Sequence, residues 1–384
     1  MFKVLLAGGG TAGHINPALA IASIIKDHYP DTEFLFAGTP NGMESRLIPK
    51  AGYNFAPIKV SGFQRKLTPQ NIVRNIKTVA YLTTAGHRAK QIINDFKPDL
   101  VIGTGGYVSG PVVLKAAQMG IKTAIHEQNA FPGMTTRMLS KHVDEIMLTV
   151  EEAKKHLDDG IKYTVTGLPV RKGFSAVSRS EAKRQLGIPE DEICILSTGG
   201  SLGAEQVNNT VAELMEWEVK NNIPLTHIHS YGTIYKESFP ADLSARGVDM
   251  ENNPRIRAKE YIDNMPVCMA AADLVISRSG ANALSELQAM GRASILIPSP
   301  NVAGNHQYHN AMVLGKAGAA IVIEEKDLSG KVLIENVNRL YSDKEQLNTF
   351  AKRTAALYVD DTPDRVFSVI EKLLELKASQ EKSE

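Results

Sequence analysis

Two glycine-rich loops of the same kind stand about half a chain apart, and they restrict the possible folds more than any other feature. The first, GGGTAGH (Gly8 to His14), follows the apolar run KVLLA, and the second, TGGSLGA (Thr198 to Ala204), follows CILS. A helical pattern succeeds each: PALAIASII after the first, VNNTVAELM after the second. Strand, glycine turn and helix together make the unit that receives a phosphate on a helix N-terminus. Two copies predict two similar α/β domains with a cleft between them. Two ligands meeting in a cleft suggest group transfer rather than simple binding.

Apolar runs alternate with helical patterns along the rest of the chain. KVLLA, EFLFAG, LVIGTGG, TAIHEQN, EIMLTV and YTVTG read as strands of a first sheet. CILSTGG, LTHIHSYG, LVISRSG, SILIPSP and AAIVIEE read as strands of a second. Short continuous apolar strands between helices indicate parallel sheets covered on both faces. The chain has 384 residues, of which 43% are hydrophobic, enough for two cores. The join is expected in DDGIKYTVTGLPVR, giving a first domain over 1–163 and a second over 164–361. Residues 362–384 are expected to form a final helix with a frayed polar tail.

Composition excludes several classes. The net charge of +1 gives no global reason for nucleic-acid binding, so a basic patch must be local. Cys194 and Cys268 lie in apolar contexts and read as buried reduced thiols, at a spacing that matches no zinc motif. Met1-Phe2-Lys3 runs straight into a strand with no signal peptide before it, and no stretch reaches the roughly 18 apolar residues of a spanning helix. The expected setting is the cytosol, with a membrane surface within reach. From Gly62 to Lys90 the cations Arg65, Lys66, Arg74, Lys77, Arg88 and Lys90 are interrupted by no acid, and Ile72, Val73, Ile76, Val79, Ala80 and Leu82 are apolar among them. Two readings fit: an amphipathic helix for an anionic membrane, or a helix packed on the sheet with a solvated basic edge.

The motifs narrow the chemistry. Gly8, Gly10 and Gly13 satisfy G-x-G-x-x-G, but the second strand ends in Ala37 and Gly38 where a dinucleotide site wants a ribose-binding acid. Gly199, Ser201 and Gly203 satisfy G-x-S-x-G, yet nothing marks a specific histidine and acid for a triad. A phosphate cradle made of Ser201 and the loop N–H groups explains the same residues more economically. A third glycine loop, GTGGYVSGP, offers Tyr107 and Ser109 either as ligand contacts or as parts of a plain strand-to-helix turn. HEQNAFPG crowds four polar residues at a strand end, where open α/β sheets bind ligands. RSGANALSE places Glu286 about two helical turns beyond another strand end, and PNVAGNHQYHN supplies His306, Gln307 and Asn310. With no Asp-x-Asp pair in a metal context, a donor diphosphate would be neutralised by helix dipoles, N–H groups and a cation such as Arg171.

GGGTAGH, GGYVSGP, HEQN, PVR, GGS-x-GA, RSGA followed by SE, and QY-x-N occur together in an order and spacing that closely resemble the MurG family, from Met1 to about residue 370. The resemblance implies the GT-B fold, two Rossmann-like domains with parallel sheets facing across a deep cleft and a C-terminal helix returning to the first. It implies an inverting, β-1,4-forming, metal-independent transfer of GlcNAc from UDP-GlcNAc, a substrate and not a cofactor, to the muramoyl sugar of lipid I, giving lipid II for peptidoglycan. The donor would meet Ser201 and Arg171 at its diphosphate, Ile262 at uracil through the backbone and Glu286 at the ribose. Gln307, Thr11, Ala12, Gly13 and Asn129 would meet its sugar. Gly10, His14, Gly105 and Tyr107 would face the acceptor. His14 is the candidate base, with a loop cap or an acceptor-phosphate contact as its alternative, and Glu127 is the runner-up. The implied location is the cytoplasmic face of the bacterial membrane, peripheral on anionic lipid, with cell-wall and division proteins as partners. Leu168, Leu202, Ala283 and His306 depart from the commonest pattern and put individual hydrogen bonds in doubt. A sugar-nucleotide epimerase on a soluble substrate and a non-catalytic scaffold remain as other classes, to be separated by turnover with and without a lipid I analogue.

Overall fold

The computed structural model describes residues 1–60, 84–170, 174 and 177–381. Arg171 and most of the basic segment from 62 to 90 lie outside the described residues. The chain forms two compact units, Met1–Pro169 with Val359–Glu384, and Val170–Tyr358.

Among the described residues the first unit holds seven strands: β1 (Lys3–Gly8), β2 (Glu33–Gly38), β3 (Asn54–Pro57), β4 (Leu100–Gly105), β5 (Lys122–Glu127), β6 (Glu145–Leu148) and β7 (Tyr163–Val165). They pair in the order β3-β2-β1-β4-β5-β6-β7, and every pairing is parallel. Alternate residues of β1 feed opposite cores, as the two-residue period of a strand requires. Val4 and Leu6 pack with Ile21 and Ile25 of the helix Ala12–His28 and with Val366 and Ile370 of the final helix Thr362–Glu381. Leu5 and Ala7 pack on the other face with Val108, Val112, Ile92 and Ile93. The final helix is further seated by His28 and Phe367, whose rings stack at 3.7 Å. Of the basic segment, residues 84–90 open a helix over 84–96 that buries Ala85 and Ala89 and leaves Arg88 and Lys90 exposed.

The second unit holds β8 (Ile193–Thr198), β9 (Leu225–Ser230), β10 (Ile256–Lys259), β11 (Leu274–Ser277), β12 (Ala293–Leu296) and β13 (Ala320–Val322). Their order is β10-β9-β8-β11-β12-β13, again parallel throughout. Ile195 faces Val207, Val211 and Leu214, while Cys194 and Leu196 face Met269, Leu284 and Leu287. Both cysteines are free, and burial pushes their thiols up, Cys194 to about 12 and Cys268 to about 11.

Three expectations need adjusting. β3 and β10 were not anticipated; they are four-residue edge strands, NFAP and IRAK, too short and too polar to stand out. The first unit runs past 163, because β7 pairs with β6 through Tyr163, Thr164 and Val165. It is rejoined from Val359 rather than from 362.

Candidate active site

In each sheet the strand order reverses direction once, between β1 and β4 and between β8 and β11. Open parallel sheets bind ligands outside the carboxyl ends of the strands at such points. The glycine loops lie at these ends.

In the first unit, Gly10 sits at φ 84°, a conformation that favours glycine, and Thr11 returns to extended backbone before the helix begins. No acid of the helix itself occupies its first turn. The loop packs backbone to backbone on the end of β4. A Cβ on Gly106 would overlap the Gly9 carbonyl, and Thr104 Oγ1 donates to the His14 carbonyl at 2.8 Å. The His14 ring lies against Gly105, itself at φ 105°, where a Cβ would come within 2.6 Å of Cδ2. His14 Nδ1 is 2.9 Å from the Gly9 carbonyl oxygen. A carbonyl can only accept, so Nδ1 carries the proton, and in the neutral ring Nε2 holds the lone pair.

One residue essential to this geometry was not singled out from the sequence. Glu44 opens the helix Glu44–Lys50 with its carboxylate fully buried beneath the glycine loop. It accepts from Gly10 N–H at 3.1 Å, Thr39 N–H at 2.9 Å and the Thr39 hydroxyl at 2.6 Å. Gly9, Gly38 and Gly42 surround it, and a Cβ on any of them would overlap its side chain. Burial opposes its ionisation, but the hydrogen bonds from Thr39, from Gly10 and from its own backbone hold the carboxyl below the usual value. At Gly38, which argued against a ribose-binding acid, a Cβ would overlap Glu44 Cγ and the Phe55 ring.

The HEQN segment ends β5. His126 is fully buried; its Nε2 donates to the Gly167 carbonyl at 3.0 Å, and its Nδ1 lies 3.1 Å from Gln128 Nε2. Burial pushes it down to about 4, so it is neutral. Glu127 accepts from the backbone and side-chain N–H of Asn129, both at 3.0 Å, from Gly133 N–H at 3.0 Å and from the Thr136 hydroxyl. Four donors match the lone-pair sites of one carboxylate, so the group clamps Asn129 to the start of the helix Met134–Leu139. That geometry leaves Glu127 poorly suited to accept a substrate proton. Tyr107 is 60% exposed on the helix Gly106–Gln118. Ser109, weighed as a ligand contact, is instead buried, with its hydroxyl on the Ala7 and Gly105 carbonyls.

In the second unit, Gly200 and Gly203 take φ 97° and 85°, and Ser201 between them is exposed. The loop is pinned where a Cβ on Gly232 would overlap Gly203 and one on Gly203 would overlap the Tyr231 carbonyl, and Thr233 N–H donates to the Ser201 carbonyl at 3.3 Å. An open cavity of about 470 Å³ lies there, lined by Gly199, Gly203, Arg278, Ser299, Gln307 and Glu325 among others. Arg278 is held by an ion pair with Glu325 and donates to the Ile297 carbonyl at 3.2 Å. Gln307 Oε1 accepts from Ser299 N–H at 2.9 Å, and its carbonyl accepts from Ser279 Oγ at 2.9 Å. Glu286 is 7% exposed on the helix Ala281–Met290, not a solvated surface residue. The Ile262 side chain is buried among Leu196, Val275 and Leu284. Of the expected donor residues, the Ser201 loop and Gln307 share one cavity wall. Arg278 and Glu325 join them there, and their pairing over 47 positions has no sequence signal.

Residues 4–148 match the glycosyltransferase family 28 N-terminal domain, and residues 194–382 match its C-terminal domain. A transferase of Acetivibrio thermocellus is 44% identical over 98% of this chain and 100% of its own length. One of Bacillus subtilis is 37% identical over 97% and 99%. Each is called a UDP-N-acetylglucosamine–N-acetylmuramyl-(pentapeptide) pyrophosphoryl-undecaprenol N-acetylglucosamine transferase. Among solved structures, MurG of Acinetobacter baumannii superposes with a TM-score of 0.77 at 26% identity, covering 97% of this chain and all of that one. CalG4, the calicheamicin glycosyltransferase, at TM-score 0.70 and 15% identity over 98% of each chain, shares the fold alone. Two parallel-sheet units with glycine loops at both switch points, matched end to end by these relatives, establish that the chain belongs to the MurG family of GT-B glycosyltransferases.

Proposed function

We propose that this chain transfers GlcNAc from UDP-GlcNAc to the muramoyl sugar of lipid I, forming lipid II. The observation that carries the reading is the pair of glycine loops at the two switch points in a chain matched along its whole length by transferases of that name. His14 supports the chemistry, since its Gly9 contact makes Nε2 the basic nitrogen. In the inverting step Nε2 takes the proton of the acceptor hydroxyl. The freed oxygen attacks the anomeric carbon on the face opposite UDP, the glycosidic C–O bond to UDP breaks, and the diphosphate leaves with the electron pair. The exposed Ser201 loop, the helix behind it and Arg171 would stabilise that leaving charge without a metal. Glu286 would hold the ribose, the backbone at Ile262 the uracil, and Gln307 the sugar. Thr11, Ala12, Gly13 and Asn129 would contribute to the sugar, and Gly10, Gly105 and Tyr107 to the acceptor. Glu127 then serves by holding Asn129.

Among the described residues, no helix is long and apolar enough to cross a membrane. The acceptor's lipid lies in the bilayer, so peripheral docking on the cytoplasmic face through the cations between 62 and 90, on anionic lipid, completes the proposal, with cell-wall and division proteins as further partners. Incubating the protein with UDP-GlcNAc and a short-chain lipid I analogue should yield the disaccharide and UDP. Consumption of UDP-GlcNAc that proceeds equally without acceptor would point to an epimerase or hydrolase instead.

A further inference from the structure

Two hydrogen bonds described above meet on one peptide group. The Gly9 carbonyl that accepts from His14 Nδ1 (2.9 Å) and the Gly10 N–H that donates to Glu44 (3.1 Å) are the two ends of the Gly9–Gly10 amide. We infer that Glu44 is a positioning residue for the transfer, linked to His14 through this single peptide: carboxylate, amide N–H, amide C=O, imidazole Nδ1–H. The inference rests on His14 being the base.

The physical argument has three parts. A negative charge at the N–H end of an amide polarises it and makes its carbonyl a stronger acceptor, since hydrogen bonds in a chain reinforce one another. A stronger acceptor at Nδ1 fixes the tautomer that leaves Nε2 basic, and it stabilises the imidazolium formed when Nε2 takes a proton. Burial keeps the charge from being screened. Gly9 and Gly42 leave room for this carboxylate, and Gly38 for the Cγ of the same side chain. Thr39 occupies the other oxygen with two donors and so directs Oε2 at Gly10.

The test is a double-mutant cycle in the full-length protein, with UDP-GlcNAc and a soluble acceptor analogue, read beside the histidine ¹⁵N spectrum. Glu44→Gln keeps the volume but removes the charge. It should lower kcat about 10–100-fold, part of the roughly 10²–10⁴ that a general base supplies, with the UDP-GlcNAc KM unchanged. In a His14→Ala background the same substitution should cost nothing further. The wild-type spectrum should show His14 protonated on Nδ1, and Glu44→Gln should raise the Nε2–H fraction. If Glu44→Gln slows both backgrounds by the same factor and leaves the tautomer unchanged, Glu44 only holds the loop and the inference is overturned while His14 remains the base. An unchanged kcat in His14→Ala would overturn the base itself. A wild-type His14 protonated on Nε2 would refute the link with no variant needed, which covers the case of a Glu44→Gln protein that does not fold.

Discussion

Replacing Glu127 separates a clamp from a base. Its buried carboxylate accepts from Asn129 N–H, Asn129 Nδ2, Gly133 N–H and Thr136 Oγ1. Glutamine keeps one oxygen, so one pair of donors stays satisfied while its NH₂ is turned on the other pair. Two partly buried donors losing a charged acceptor, at about 1–2 kcal/mol each, predict a loss of about 2–4 kcal/mol. For a unit of this size, about 2–4 °C per kcal/mol turns that into a fall in Tm of about 4–16 °C. Alanine should cost more, because all four donors lose their partner. The assay is thermal or urea unfolding of the variants beside their steady-state kinetics. The clamp predicts a large stability loss with a kcat decline of about tenfold, arising from a displaced Asn129 and recovering in part at low temperature. A Glu127→Gln protein with unchanged Tm and a kcat about 10³-fold lower would refute the clamp and return Glu127 to the role of base.

Three further outcomes are expected. Gly105→Ala meets both an unfavourable φ of 105° and the His14 ring, so kcat should fall while the UDP Kd stays unchanged by calorimetry. His126 and His229 are pushed down by burial to about 4 and about 3, so between there and pH 6.5 the unfolded chain binds more protons than the folded one. Stability should therefore fall as pH drops from 6.5 towards 4, by up to about 1.4 kcal/mol per pH unit for each histidine, and His126→Gln should flatten that dependence in urea titrations of the first unit. Replacing Arg65, Lys66, Arg74 and Lys77 with Gln should weaken binding to anionic vesicles, at about 1 kcal/mol per cation, and leave turnover of a soluble acceptor unchanged; equal vesicle binding at low salt would make these cations plain solvated surface.

The sequence by itself determined the kind of sheet and the positions of its glycine loops. Runs such as KVLLA and CILS are apolar on both faces because a parallel strand is covered on both, and that signal is local. The glycine loops were legible for the same reason: left-handed backbone and close approach demand glycine wherever they occur, as at Gly10 and Gly203. Tertiary structure alone decided which polar groups meet. Glu44 belongs to no motif, yet it supports the His14 loop from 34 residues beyond Gly10. Arg278 finds Glu325, and Glu127 gathers donors from a helix not yet begun at its own position. The edge strands β3 and β10 likewise acquire their pairing only from neighbours already in place. Hydrogen bonds between residues distant in the chain depend on where the backbone returns, and a linear pattern of hydrophobicity carries no record of that.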